Sequence, residues 1–327
     1  VDRQSPPVDE LTIKQALLQH LQAALSSYIL DTSFLTSSKS YIPLQLSKQQ
    51  RVVYSCAIAF KLSKVVNLPA IEVAKSLSQL IYQQNYQQNL MIRVIPPGWL
   101  DLELTQPSLA AWLQRWIETL PCLARQGELG VPTEWGLGVK GTRGQFNSKF
   151  KIQNSKFKIQ NYSPLPTPHS PLPTPHSLFP IQYAHARCCS LLQMAHREGL
   201  MAIKSRNFDN PFWTWEVESP QQIPWLDREE KLCFNLPAEL NLIIQLVAVL
   251  DDLYCPEPTR QSLNWLKIAL NLSQAFQTFY SQCRIWGEVK SQNLNLAQGR
   301  LGLVAIAQSV FRILLVEVLD SFAPPEL

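Results

Sequence analysis

The sequence predicts a mainly α protein: an α+β N-terminal domain over 1–120, a low-complexity repeat linker over 121–179, and an all-α helical bundle over 180–327. Three observations predict it. The first part mixes helix-period apolar patterns with two short strand-like runs, and the middle is built of tandem repeats. Beyond 180 the apolar residues recur almost wholly at helical spacing.

In the first part Leu11, Leu17, Leu18, Leu21, Leu25 and Ile29 recur on one helical face. Val52, Val53, Ala57, Phe60 and Leu62 predict a second helix, and Asn67 followed by Pro69 predicts a cap and first-turn proline for a third, Ile71 to about Ile81. Met91 to Ile95 and Trp99 to Leu104 read as strands around a Pro96-Pro97-Gly98 turn. A last helix begins near Pro107. In the third part Pro237 opens a helix that is apolar almost all round through Leu250, as in a helix packed inside a bundle. Thr259 to Cys283 and Ala297 to Leu319 supply two more.

The linker is marked by two exact duplications. Asn147 to Gln153 recurs as Asn154 to Gln160, and Ser163 to His169 recurs as Ser170 to His176. Two copies are too few for a stacked solenoid, and the Pro-rich half predicts an extended, polyproline-like spacer without a core.

With 327 residues, 46% of them hydrophobic and 17% charged, the chain can bury sizeable cores, which excludes wholesale disorder. The net charge of +4 says little by itself, but its distribution is uneven. From Trp135 to Arg197 there is no Asp or Glu, while Lys140, Arg143, Lys149, Lys151, Lys156, Lys158, Arg187 and Arg197 are basic. A second acid-free window runs from Thr259 to Gly287 and carries Arg260, Lys267 and Arg284. Such windows either face phosphate or form a solvated basic surface. The seven cysteines include no C-x-x-C, and the five histidines are scattered, so the pattern predicts reduced thiols, a cytoplasmic setting, no metal and no cofactor. Val1 to Glu10 lacks an apolar signal region. Leu301 to Leu319 is apolar but carries Gln308, Arg312 and Glu317, which predicts a bundle helix and no membrane span.

Specific motifs then appear in order. Gln182-Tyr183-Ala184-His185-Ala186-Arg187, the segment Leu272 to Arg284 with Ala275-Phe276 and Phe279-Tyr280, Gly299-Arg300-Leu301-Gly302-Leu303, and the closing Ala323-Pro324-Pro325-Glu326-Leu327 together resemble the DALR anticodon-binding domain of arginyl-tRNA synthetases. Tyr54 to Lys64, with Val53 where that family usually has Asp, and Pro97-Gly98-Trp99-Leu100-Asp101 resemble the additional N-terminal domain of the same synthetases. Between these ends the family carries a Rossmann-type catalytic domain with an H-I-G-H motif and a K-M-S-K-like loop. No H-x-G-H occurs in this chain, and the nearest approach to the loop is Ile203-Lys204-Ser205.

The resemblance implies a D-loop contact at Trp99 and Asp101, and an anticodon-side contact at Tyr183, Arg187, Tyr280, Arg284, Trp286 and Leu327. Trp99 supplies a sequence-tolerant stacking face, whereas Asp101, standing where the family has Asn, is acceptor-only. Tyr183 and Arg187 are four residues apart and share a helix face, with His185 turned away, and Tyr280 and Arg284 repeat the spacing. Gln277 and Ser281 replace family Asn residues, and Leu327 stands where a terminal Met is usual. The implied function is a non-catalytic tRNA-binding protein, the tRNA being arginine tRNA on the family pattern. Two other readings stay open: a protein-interaction scaffold that has lost tRNA, and a ligase subunit working with a catalytic chain in trans. The run Phe208, Phe212, Trp213, Trp215 and Trp225 either covers the bundle or marks a protein-partner surface.

Overall fold

A computed structural model describes residues 12–28, 42–47, 51–83, 89–126, 178–205, 215–257 and 263–327, without the side chains of 121–126 and 215. The repeats fall outside these residues. The described residues cluster into one compact unit.

Helix α1 (Ile13–Tyr28) buries Ile13, Leu17, Leu21, Ala24 and Leu25; of the residues expected at helical spacing, Leu17, Leu21 and Leu25 are buried, Leu18 is half-buried, and Leu11 and Ile29 lie outside the described residues. Strands β1 (Leu44–Leu46), β2 (Val53–Cys56), β3 (Leu90–Ile95) and β4 (Trp99–Leu104) form an antiparallel sheet in the order β1-β2-β4-β3. The expected helix through Val52 and Val53 is thus corrected. Val53–Cys56 is a strand, and helix α2 runs Ile58–Val66. Two valines and a tyrosine in a row suit a pleated surface, and a run this short has no decisive period. Asn67 is also reassigned: it ends α2 in the left-handed region (φ 54°), a conformation asparagine tolerates better than most residues. Helix α3 then runs Ala70–Gln83.

Helix α4 (Gln106–Gln126) leaves the sheet and packs against helix α9 (Leu294–Ile313). The other helices are α5 (Phe179–Arg197), α6 (Pro237–Tyr254), α7 (Trp265–Gln282) and the short α8 (Glu288–Gln292). The helix expected from Thr259 begins at Trp265, where the Asn264 side chain accepts from the Lys267 N–H at 2.9 Å. A hairpin of β5 (Ala202–Ser205) and β6 (Trp215–Ser219) interrupts the run of helices that the periodicity suggests. From Leu294 to Val318 the chain is long and apolar enough to cross a membrane by composition. Its α9 portion is buried among α4, α5 and α6, as a bundle helix.

The sheet-bearing part and the bundle touch through polar contacts that leave few groups unsatisfied. The Gln114 side-chain oxygen accepts from the Ile223 N–H (3.0 Å) and the Trp225 indole N–H (3.1 Å), and its amide nitrogen donates to the Gln221 carbonyl (3.0 Å). Gln106 accepts from the Leu232 N–H at 2.7 Å. Asp251 of α6 takes the Tyr54 hydroxyl at 2.5 Å and the Lys14 backbone N–H at 3.3 Å, while the Lys14 ammonium meets Glu257 at 3.3 Å. Burial pushes the Asp251 carboxyl up to about 7, against the opposing pull of Tyr54 and Lys14, and it raises the Tyr54 hydroxyl as well.

Candidate nucleic-acid interface

On the N-terminal side, the candidate ring is Trp99 at the first position of β4. It is 40% exposed and leans edge-on against Phe60 of α2, with ring centres 5.6 Å apart. Gly98, just before it, is buried against α3, where an added Cβ would stand 2.7 Å from the Ala70 Cβ. The turn therefore sits hard on α3, and the ring emerges at its edge.

Register places Gln45, Ser55, Asp101 and Arg93 opposite one another across the four strands, on the sheet face that also carries Trp99 and Ile95. Asp101 accepts from the Ser55 hydroxyl at 2.6 Å. The Arg93 guanidinium turns instead to Glu103, which also meets Arg51 at 3.3 Å. Arg51 and Arg93, both exposed, place cationic groups on either side of a buried carboxylate. Sequence reasoning did not single out these arginines, because only the strand register brings them together.

In the bundle, Tyr183 and Arg187 do share a face of α5, and His185 points into the core. Tyr183 is 43% exposed and stacks on Phe179, with centres 6.2 Å apart. Arg187 donates to the Tyr280 hydroxyl, and its guanidinium carbon lies 4.5 Å from the centre of that ring. The two aromatic–arginine pairs suggested by i,i+4 spacing are thus rearranged. Arg187 pairs across helices with Tyr280, and α7 ends at Gln282, so Arg284 lies beyond the last turn and does not continue the Tyr280 face. Arg284 is exposed, and its backbone carbonyl is held by the Arg300 guanidinium. Trp286 is half-buried against the core, with its indole nitrogen enclosed. Leu327 is exposed.

Arg300, in the Gly299–Leu303 motif, serves the framework. It is buried and places its Nε 2.6 Å from Glu239, whose second oxygen accepts the Asn235 and Leu236 N–H groups at 2.9 and 2.7 Å. One carboxylate thereby caps α6 and anchors α9. Gly302 has a similarly structural reason, since a Cβ there would come within 2.5 Å of the Trp225 ring. Trp225 itself is buried, edge-on to Phe234, and so presents no partner surface. Phe208, Phe212 and Trp213 lie outside the described residues. Among the described residues no group of His, Cys, Asp and Glu side chains could hold a metal ion.

Residues 181–321 match the family described as the DALR anticodon binding domain. Among curated proteins, the chain is similar to the arginine–tRNA ligase of a Synechococcus strain, at 29% identity over 144 residues that cover 44% of this chain and 21% of that ligase. The arginine–tRNA ligase of Gloeobacter violaceus is 28% identical over 132 residues, covering 40% of this chain and 19% of the ligase. That of Acetivibrio thermocellus is 24% identical over 147 residues, covering 45% and 22%. The chain spans about a fifth of the length of these relatives. No solved structure matches.

Proposed function

We propose that this chain is a cytoplasmic tRNA-binding protein that does not charge tRNA. The observation that carries the reading is a cluster in which the exposed Tyr183 and Tyr280 flank a half-buried Arg187, within the region that matches an anticodon binding domain. A guanidinium backed by an aromatic ring suits phosphate or a base face, and an exposed tyrosine one helical turn away suits a second base. Among the described residues neither Tyr183 nor Arg187 meets a carboxylate that RNA would have to displace. The Trp99 turn, with Arg93 on its sheet and Arg51 just before β2, is the second contact, on the D-loop side that the resemblance implies. The Asp101 carboxylate, already taken by Ser55, offers no donor to a base edge. Adenylate chemistry needs groups that orient and neutralise a transferring phosphate, and neither H-x-G-H nor a K-M-S-K-like loop occurs in the chain.

A filter-binding titration of the full chain with total tRNA, run together with ATP–pyrophosphate exchange, tests both halves. The expected result is saturable binding without exchange. Exchange by the pure chain would refute the non-catalytic half, and absence of binding at low salt would refute the other.

A further inference from the structure

The four-stranded sheet has two outer strands, β1 and β3, and their free edges differ. The β3 edge is closed: the Tyr82 hydroxyl, from α3, donates to the Ile92 carbonyl and accepts the Ile92 N–H, both at 3.1 Å. The β1 edge is open. The Ser47 N–H donates to the Val53 carbonyl at 2.7 Å, and the Pro43 carbonyl accepts the Ala57 N–H at 3.2 Å, so positions 43, 45 and 47 bond to β2. Antiparallel pairing alternates, and the N–H and C=O groups of Leu44 and Leu46 therefore point away from β2. Among the described residues none of these groups has a hydrogen-bond partner. Such a row is a template for another strand, and folded proteins ordinarily cover it, as Tyr82 does at β3.

Beyond the β1 edge lies a cleft of about 900 Å³. Residues 44–47 form one wall, and α6 forms the other. From Pro237 to Asp252 this helix rises about 22 Å, the span of about six or seven extended residues. Because the edge faces a helix across the cleft, it admits one extended chain and not the sheet of a second copy. The α6 wall offers Ile244 and Ala248 to apolar side chains, and the amides of Asn241 and Gln245 to polar ones. The charged residues among the described lining are Lys14, Asp251, Asp252 and Glu257, and the Lys14 ammonium already meets Glu257. Even with Asp251 protonated, carboxylates outnumber the ammonium, so this end of the cleft favours a cation.

We infer that β1 is a docking edge. An extended segment of a partner protein, alternating apolar and polar residues and carrying Lys or Arg at one end, pairs with Leu44 and Leu46 as a fifth strand. Main-chain hydrogen bonds supply its affinity, and the pockets for alternate side chains supply its selectivity. The site stands apart from the tRNA-binding reading and does not depend on it.

The test is selection of a displayed random heptapeptide library on the immobilised full chain, followed by fluorescence anisotropy of the enriched peptides. These should alternate apolar and polar residues, with Lys or Arg at one end. Methylating one alternate set of their backbone amides should weaken binding about fivefold or more per methyl, because each removes a hydrogen bond to β1, and methylating the other set should change it little. Ala248→Tyr fills the cleft from the α6 wall and should abolish binding while thermal unfolding stays as in the wild type. Asp252→Lys should weaken the basic peptides. The inference fails if no peptide is enriched, if the enriched peptides lack Lys and Arg, if binding survives Ala248→Tyr, or if the two methylated sets bind equally weakly.

Discussion

Gly98 decides where Trp99 points. Because its missing side chain lets the turn close on Ala70, Gly98→Ala forces a carbon to within 2.7 Å of the Ala70 side chain and 3.0 Å of its backbone. Backbone cannot yield as a flexible side chain does, so the substitution should destabilise the fold by about 1–3 kcal/mol, read as a lower urea midpoint, and should displace Trp99. Arg187 behaves differently. It lies half-buried on the exposed Tyr280 ring with its Nε enclosed and no hydrogen bond made there, so Arg187→Ala should cost under about 1 kcal/mol of stability while weakening RNA binding, and Arg187→Lys should recover only part, since an ammonium neither stacks on the ring nor spans it with planar donors. Tyr183 and Arg187 were legible from their spacing alone, because four residues always return to one helix face. The Arg187–Tyr280 pair was not, because it joins helices 93 positions apart in sequence, and no local pattern encodes that approach.

At the level of elements, the legible parts are those with a long repeat. Helices α1, α6 and α9 follow from apolar residues repeated at helical spacing, and β3 and β4 follow from two short runs around a Pro-Pro-Gly turn. Strands β1 and β2 escaped because three or four residues cannot display a period, and their identity comes from pairing with β4. The α6–α9 junction makes the sharpest prediction at this scale. Glu239 is fully buried, and the Arg300 side chain is nearly so. Removing one partner strands the other charge in the core, so Glu239→Ala should cost about 3–5 kcal/mol, measured by chemical unfolding. It also uncaps α6 and frees the Arg300 group that holds the Arg284 carbonyl, so the loop at Arg284 should lose amide-exchange protection.

For the whole molecule, the joint between the sheet and the bundle sets a pH dependence. The Asp251 carboxyl stands at about 7 when folded against the ordinary 3.8, so the folded state holds its proton more tightly than the unfolded chain does. Stability from this group therefore falls as pH rises from about 4 to about 7, at up to roughly 1.4 kcal/mol per pH unit, and is level beyond that. Chemical unfolding across that range should show the decline, and Asp251→Asn should flatten it. The sequence read alone expects separate N-terminal and C-terminal domains, and nothing local in it encodes Tyr54 meeting Asp251, 197 positions away. Because this joint places the Trp99 turn and the Tyr183 face on one compact unit, both should contribute to one tRNA affinity. That affinity should fall with added salt as phosphate contacts release counterions. The most direct measurement is a gel-shift titration of total tRNA at low salt with the wild-type chain, Trp99→Ala and Arg187→Ala, each shown to be folded. Tight wild-type binding that each substitution weakens by tenfold or more is the predicted result. No binding, or binding that neither substitution changes, would contradict the account.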